Sequence, residues 1–302
     1  LLVLSKQGLH SLKGNFCLLC LGQYQESEEN GTDSPNSVAS LVAHNRLYLK
    51  DIGGHEPLLP PVEQPRGERR DRLSKLTASN LTYHYPGTNR GIEGINLALL
   101  RGSLTVITGR VGAGKTTLLR VLLGLLPKQA GDIYWNGQLV SNPATFLVPP
   151  RSAYTPQVPQ LFSNTLRENV LLGWQCGEEN MARAVERAVF DRDVAAMPEG
   201  LDTWIGVKGV RLSGGQLQRA ATARMLVRQP ELLVFDDVSS ALDVETEQTL
   251  WERLLATRST ETHWQPTCLV VSHRPYVLRR ADQIIVLRDG QIEAQGRFDE
   301  LT

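Results

Sequence analysis

The sequence predicts an α/β domain built on a largely parallel sheet. Three observations carry that expectation. The run Ser103-Leu-Thr-Val-Ile-Thr108 is rich in β-forming residues and feeds a glycine-rich turn, after which a helix opens at Lys115. Glu231-Leu-Leu-Val-Phe235 and Thr267-Cys-Leu-Val-Val271 are short and continuously apolar, as strands buried on both faces are. Helical stretches, Gly215 to Arg228 and Val244 to Ala256, separate the apolar runs. Strand and helix alternating in this way imply crossover connections. Ahead of this core, Leu76 to Tyr85 and Ile92 to Leu100 read as half-buried strands.

Composition narrows the classes. The 302 residues are 41% hydrophobic and 21% charged, with 32 basic against 32 acidic, a formal net charge of zero. That is a globular composition, which excludes collagen-like, mucin-like and wholly disordered chains. A generic nucleic-acid or anionic-membrane binder would lack its simplest electrostatic footprint, so no nucleic-acid partner is expected. The four cysteines, Cys17, Cys20, Cys176 and Cys268, are too few for a disulfide framework and favour a reducing compartment. Cys17 and Cys20 form a C-x-x-C, but His10 is the only further ligand nearby and zinc needs about four. Two small buried side chains are the expectation there.

Residues 23 to 40 and 53 to 72 carry no apolar period and are rich in Glu, Ser, Asn, Pro and mixed charge, as tethers are. Between them Val38 to Leu49 could form one short helix. A boundary is expected near 73 to 76, dividing a linker of residues 1–75 from a folded domain of 76–302. The longest apolar run near the start, Phe16 to Leu21, falls far short of the ~20 residues that cross a bilayer. The first residue is leucine and the methionines are Met181, Met197 and Met225, which suggests a fragment or processed piece of a longer chain.

The chemistry begins at Gly109-Arg-Val-Gly-Ala-Gly114-Lys115-Thr116, which matches G-x-x-x-x-G-K-[ST] between a buried strand and a helix start. Its glycines let the backbone curl until successive N–H groups and the positive end of the helix surround a triphosphate. The cradle comprises Gly109, Val111, Gly112, Ala113, Gly114, Lys115, Thr116 and Thr117, with Lys115 reaching the β- and γ-phosphates and the Thr116 hydroxyl serving Mg²⁺. Such a cradle needs a metal-organising acid. Leu232-Leu-Val-Phe235-Asp236 supplies one at the end of a buried strand, where sheet geometry delivers side chains to the ligand crevice.

Between these two elements stands Leu212-Ser213-Gly214-Gly215-Gln216, followed by Gln218-Arg219-Ala220; Ser239-Ser240-Ala241-Leu242-Asp243 and Val271-Ser272-His273-Arg274 come after them. In that order the segments resemble the signature, D-loop and switch histidine of ATP-binding cassette (ABC) proteins, over about residues 76 to 302. The resemblance implies a P-loop NTPase core with a mostly parallel sheet, an antiparallel β subdomain and a helical subdomain bearing the signature. It implies ATP and Mg²⁺ as ligands, and a second cassette, identical or not, whose ATP would meet Ser213, Gly214, Gly215 and Gln216. It also places His273 at the γ-phosphate. Tyr83 and Tyr85 share a strand face by period, and the resemblance to an adenine-stacking loop selects Tyr85. Tyr154-Thr-Pro-Gln157-Val-Pro-Gln160-Leu-Phe162 resembles the Q-loop, with Gln157 touching metal or water and Gln160 the alternative.

Phe162 to Gly173 is similar to cassettes of exporters in which a permease precedes the ATPase, which implies a transmembrane partner and a place on the cytoplasmic face of the plasma membrane. A soluble ABC ATPase is the rival, though neither a second cassette nor a long coiled-coil insertion is present. Such exporters tend to carry T-E-V-G-E-R-G before the signature. Here it reads Thr203-Trp204-Ile205-Gly206-Val207-Lys208-Gly209, so no permease contact is carried over through that segment. The other departure is Asp237, where the family usually places a glutamate as general base. The carboxylate is one methylene shorter, which implies either a slow site in an asymmetric pair or a compensating shift of backbone or water.

Overall fold

The computed structural model describes residues 72–206, 209–256 and 264–301. The N-terminal tethers, the Val38–Leu49 helix and the Cys17-x-x-Cys20 pair lie outside the described residues, as do Val207 and Lys208. Cys176 and Cys268, the cysteines within them, are thiols.

Strands β1 (Lys75–His84) and β2 (Gly91–Leu100) are antiparallel, as their half-buried pattern predicts. The alternation in β1 is interrupted at Asn80, whose φ of +52° accompanies a register shift, so the inward set passes from Leu76 and Ala78 to Leu81 and Tyr83. β3 (Leu104–Thr108) belongs to a second sheet. β4 (Ala130–Trp135) and β5 (Gln138–Leu139) complete the antiparallel sheet in the order β2-β1-β4-β5. β6 (Ser152–Thr155), β9 (Leu232–Asp236), β10 (Thr267–Val271), β11 (Gln283–Arg288) and β12 (Gln291–Gly296) join β3 in the order β12-β11-β3-β10-β9-β6. Only the β11–β12 pair is antiparallel in that sheet. A short ribbon, β7 (Asn164–Thr165) with β8 (Trp204–Ile205), stands apart.

The apolar runs at 232–235 and 267–271 are central because nothing on them asks for water: every residue of β9 and β10 is buried. Side chains at Leu104, Val106, Leu233, Phe235 and Val270 form one core with the Gly214–Leu226 and Val244–Ala256 helices. Phe235 meets Trp251 edge to face, centroids 5.3 Å apart at 70°. That core continues into a helical arm, the helices Leu166–Leu171, Glu178–Arg187 and Asp191–Ala196, through Val170, Met181, Ala184 and Phe190.

Buried Asn169 ties the loop that follows Gln157 to the arm: it donates to the carbonyls of Phe162 and Thr165 and accepts from the Phe162 N–H. Its own carbonyl accepts from Arg224 Nε at 2.8 Å, and burial pushes that guanidinium down to about 10. Two expected boundaries move slightly. The signature helix begins one residue earlier than predicted, because Ser213 caps its first turn, and it ends at Leu226, two residues short of the expected Arg228. The four-residue strand β6 is too short to be read from sequence, whereas β11, outside the sequence expectation, carries the apolar run Ile284-Ile-Val-Leu287, comparable to that of β9.

Phe190 is fully buried in the arm core. Truncation to alanine should cost about 3–5 kcal/mol. Urea unfolding of Phe190→Ala followed by far-UV circular dichroism measures it; a loss below 1 kcal/mol would mean the arm packs without this ring.

Candidate functional site

Parallel pairing sets the site. In β3, β10 and β9, Ile107 lies beside Val271 and Val271 beside Asp236, so the residues following all three strands emerge together at one edge of the sheet. From β3 the chain enters the loop Gly109–Gly114 and then the Lys115–Leu122 helix. Two glycines there are obligatory. Gly109 has φ +137°, and a Cβ on it would fall 2.1 Å from the carbonyl oxygen of Leu287; Gly114 has φ +97°, and its Cβ would meet the Gly91 carbonyl at 2.9 Å. Val111 stands fully exposed on the outer turn while Ala113 is buried beneath it.

Lys115 folds back over the loop, its Nζ donating to the carbonyls of Gly109 at 2.7 Å and Arg110 at 2.9 Å. Burial lowers its pKa, and the charges of Asp237 and Asp236 act in the opposite direction. One residue on, the Thr116 hydroxyl donates to Asp236 Oδ1 at 2.9 Å. The second oxygen of Asp236 accepts from the Tyr154 hydroxyl at 3.0 Å. Asp236 is buried, which raises its pKa against these two hydrogen bonds.

Asp237 takes a left-handed conformation, φ +54°, ψ +52°, and its Oδ2 accepts from Gln157 Nε2 at 3.1 Å. Burial raises its pKa, opposed by the nearby His273, Lys115 and Arg274. His273 follows β10 by two residues, and its Nδ1 lies 3.0 Å from the hydroxyl of Thr108, the last residue before the loop. Burial and the Lys115 charge lower the imidazole pKa, with Asp237 pulling upward. Thr108, Lys115, Thr116, Gln157, Asp236, Asp237 and His273 therefore surround a single glycine-lined mouth. The main-chain carbonyl of Gln160, the alternative, accepts from Arg224 Nη1 at 3.0 Å.

Tyr85 lies just past β1, half-buried, with its hydroxyl 3.3 Å from Thr117 Oγ1 at the first turn of the Lys115–Leu122 helix. Tyr83 is buried behind it, and the two rings meet edge to face at 5.1 Å. Of the two, Tyr85 is the one whose hydroxyl reaches the helix that follows the phosphate loop.

This fold coincides with that of a known family. The model of the ABC transporter family matches residues 92–240. A probable multidrug resistance ABC transporter ATP-binding/permease protein of Bacillus subtilis is 34% identical over 75% of this chain and 38% of its own length. The ATP-dependent lipid A-core flippase of Pseudomonas fluorescens is 32% identical over 88% of this chain and 45% of its own. The solved structure of a bacterial Atm1-family ABC exporter with ATP bound superposes with a TM-score of 0.69 at 28% identity, covering 87% of this chain and 45% of that one. The chain belongs to the ABC transporter family. It is similar to the nucleotide-binding domain of exporter-type members, and it spans less than half the length of the curated relatives it matches.

Elsewhere in this ABC domain, Ser213 caps the signature helix. Its Oγ accepts the Gln216 N–H at 3.2 Å while Gln216 Oε1 accepts the Ser213 N–H at 2.9 Å, a reciprocal capping box. Gln216 Nε2 continues to Asp193 Oδ1 at 3.1 Å, and Arg219 Nε reaches Asp193 Oδ2 at 2.8 Å. Within the chain, Gln216 thus anchors the signature turn to the arm. The Ser213 hydroxyl, used only as an acceptor there, retains its proton for a donor role, and Gly214 has open space where a side chain would be.

Tyr154 was assigned no role from sequence, since a tyrosine in a four-residue strand carries no spacing signal. Glu247 was missed for the same reason: it reads as one more polar residue on a helix, yet it is buried beneath the site.

The shifts at His273 can be checked directly. In the ligand-free protein its imidazole should titrate below its ordinary 6.5 and be neutral at pH 7. Lys115→Ala should raise that titration and Asp237→Asn should lower it further. Because the folded value is depressed, the associated stability is present above pH 6.5 and falls as pH drops from there toward the folded pKa. Imidazole chemical shifts across pH 5 to 8 report the titration; a wild-type value above 6.5 would contradict the burial argument.

Proposed function

We propose that this domain binds and hydrolyses ATP to power an exporter-type transporter. The observation that carries the reading is the Thr116 Oγ1 to Asp236 Oδ1 hydrogen bond of 2.9 Å, which joins the phosphate loop to the acid at the strand end. A glycine cradle beside a paired hydroxyl and carboxylate is the donor set that a nucleotide triphosphate with a hard divalent cation requires.

Thr116, Asp236 and Gln157 fit Mg²⁺, being oxygen donors in one half-buried place, and they would hold it. The ion would neutralise developing charge on the phosphoryl oxygens. Lys115 and the amides of 112 to 117 bind phosphate, with Lys115 exchanging loop carbonyls for phosphate oxygens. Tyr85 supports the adenine. Asp237, made more basic by burial, and His273 address the attacking water, whose proton the carboxylate can accept as the oxygen bonds to phosphorus and the bond to the leaving phosphate breaks.

A second cassette, identical or not, completes the site by bringing its Ser213 and Gly214 counterparts to this domain's ATP; the helix start they form is an anion-binding terminus. Closure on ATP and release after hydrolysis would be passed to a transmembrane permease at the cytoplasmic face of the plasma membrane. The exporter relatives support that partner.

Asp237 admits a slower variant of this reading, as one site of an asymmetric pair. Gln157 holds its carboxylate, and the side chain is one methylene shorter than the glutamate usual in the family. Asp237→Glu should then raise turnover about 100-fold, the order a misplaced base costs. Equal turnover of the two proteins in a steady-state phosphate-release assay would refute the slow site.

Lys115→Ala should weaken ATP binding at least about 100-fold, through loss of charge-assisted hydrogen bonds. Fluorescent-nucleotide titration measures it. Undiminished binding would sink the phosphate-loop reading itself.

A further inference from the structure

The main chain that carries His273 is fastened on both sides, and both fastenings lead to one buried carboxylate. Glu247, on the Val244–Ala256 helix, is 2% exposed. Its Oε1 accepts from Ser239 Oγ at 2.6 Å and from Trp251 Nε1 at 3.4 Å. Its Oε2 pairs with Arg274 Nε at 3.3 Å. Ser239 Oγ lies 3.2 Å from Ser272 Oγ, which accepts the Arg274 N–H at 3.1 Å. Arg274 Nη2 then donates to the Ser239 carbonyl at 3.2 Å. The ring closes through Glu247, Ser239, Ser272 and Arg274. His273 is the residue between the last two, and Asp237 precedes Ser239 by two positions at the head of the Val238–Ser240 turn.

A buried carboxylate costs several kcal/mol unless it is paired and its remaining lone pairs are filled. Here Trp251 is the one partner from its own helix; the others come from the two loops that leave β9 and β10 at the phosphate mouth. A helix-stabilising role would be served by local partners and asks for no link to both loops. Networks of this kind, when fully satisfied, select one conformation of the segments they join.

We infer that Glu247 is a positioning residue for ATP hydrolysis, which through Ser239, Ser272 and Arg274 fixes the backbone presenting Asp237 and His273 to the phosphate mouth. The inference rests on the assignment of those two residues to the attacking water. Glu247 touches no substrate position. Its loss should therefore act on turnover and on the His273 environment while leaving the nucleotide cradle intact.

The test uses the full chain carrying Glu247→Gln, which keeps shape and one of the two acceptor oxygens, with Ser272→Ala as a second variant that leaves the buried charge pair untouched. Three quantities are read: ATP affinity by fluorescent-nucleotide titration, kcat and KM by phosphate release, and the His273 imidazole resonances. For Glu247→Gln we expect kcat lowered about 10- to 100-fold, ATP affinity unchanged, and shifted or broadened His273 resonances; Ser272→Ala should show the same pattern more weakly. Arg274→Gln combined with Glu247→Gln should be no slower than the slower single variant, as for members of one unit. Unchanged kcat with unchanged His273 resonances, or lowered thermal stability with both unchanged, overturns the inference. Should wild-type protein bind no ATP, the proposed function fails on its own, while the His273 resonances still decide whether Glu247 sets that segment.

Discussion

The pairing of β3, β10 and β9 in one parallel register is the constraint on which the remainder depends. Parallel strands release their following residues at a common edge, and here the register brings a loop, a histidine and two carboxylates within reach of one another. The hydrogen bond from Thr116 to Asp236 spans 120 positions of sequence and exists only because of that register. Sliding β9 by one residue would turn Asp236 toward the opposite face. The continuous burial of β9 and β10 opposes such a slip, so the apolar core and the polar mouth are two consequences of the same arrangement.

The electrostatics of the mouth follow from placing several ionisable groups in a partly dry space. Burial raises Asp236 and Asp237 and lowers Lys115 and His273; opposite charges across the mouth oppose these shifts, while Lys115 reinforces the lowering at His273 and Asp237 the raising at Asp236. Lys115 spends its donors on its own loop's carbonyls, and Asp236 has both oxygens engaged by hydroxyls. A phosphate-bearing ligand offers the lysine better acceptors than neutral carbonyls. The site is thus held in shape by neutral, exchangeable partners, which is what a site that must load and unload needs.

Around this mouth buried and half-buried polar groups act at three junctions, each connecting segments that sequence keeps apart. Asn169 and Arg224 join the loop after Gln157 to the signature helix, and Asp193 joins that helix to the arm through Gln216 and Arg219. Glu247 joins the turn after Asp237 to the segment bearing His273. Apolar packing is tolerant of small slides; directional bonds are not.

The sequence alone determined what depends on local pattern. Strict glycine positions, a lysine and a threonine between a buried strand and a helix start made the phosphate loop legible, and the apolar runs before Asp236 and Ser272 marked the central strands. The two tethers (23–40 and 53–72), the short helix and the cysteine pair that the sequence suggests lie, but for Arg72, outside the described part of the chain. Tertiary structure decided what depends on neighbours remote in sequence. It brought Thr117 beside the Tyr85 hydroxyl, Asp237 beside the Gln157 amide and Arg224 beside the Gln160 main-chain carbonyl. It also drew Tyr154 and Glu247 into the site. Neither carries a motif, because a hydrogen bond to a partner 82 residues away, or burial against two loops remote in sequence, leaves no period in the residues on either side.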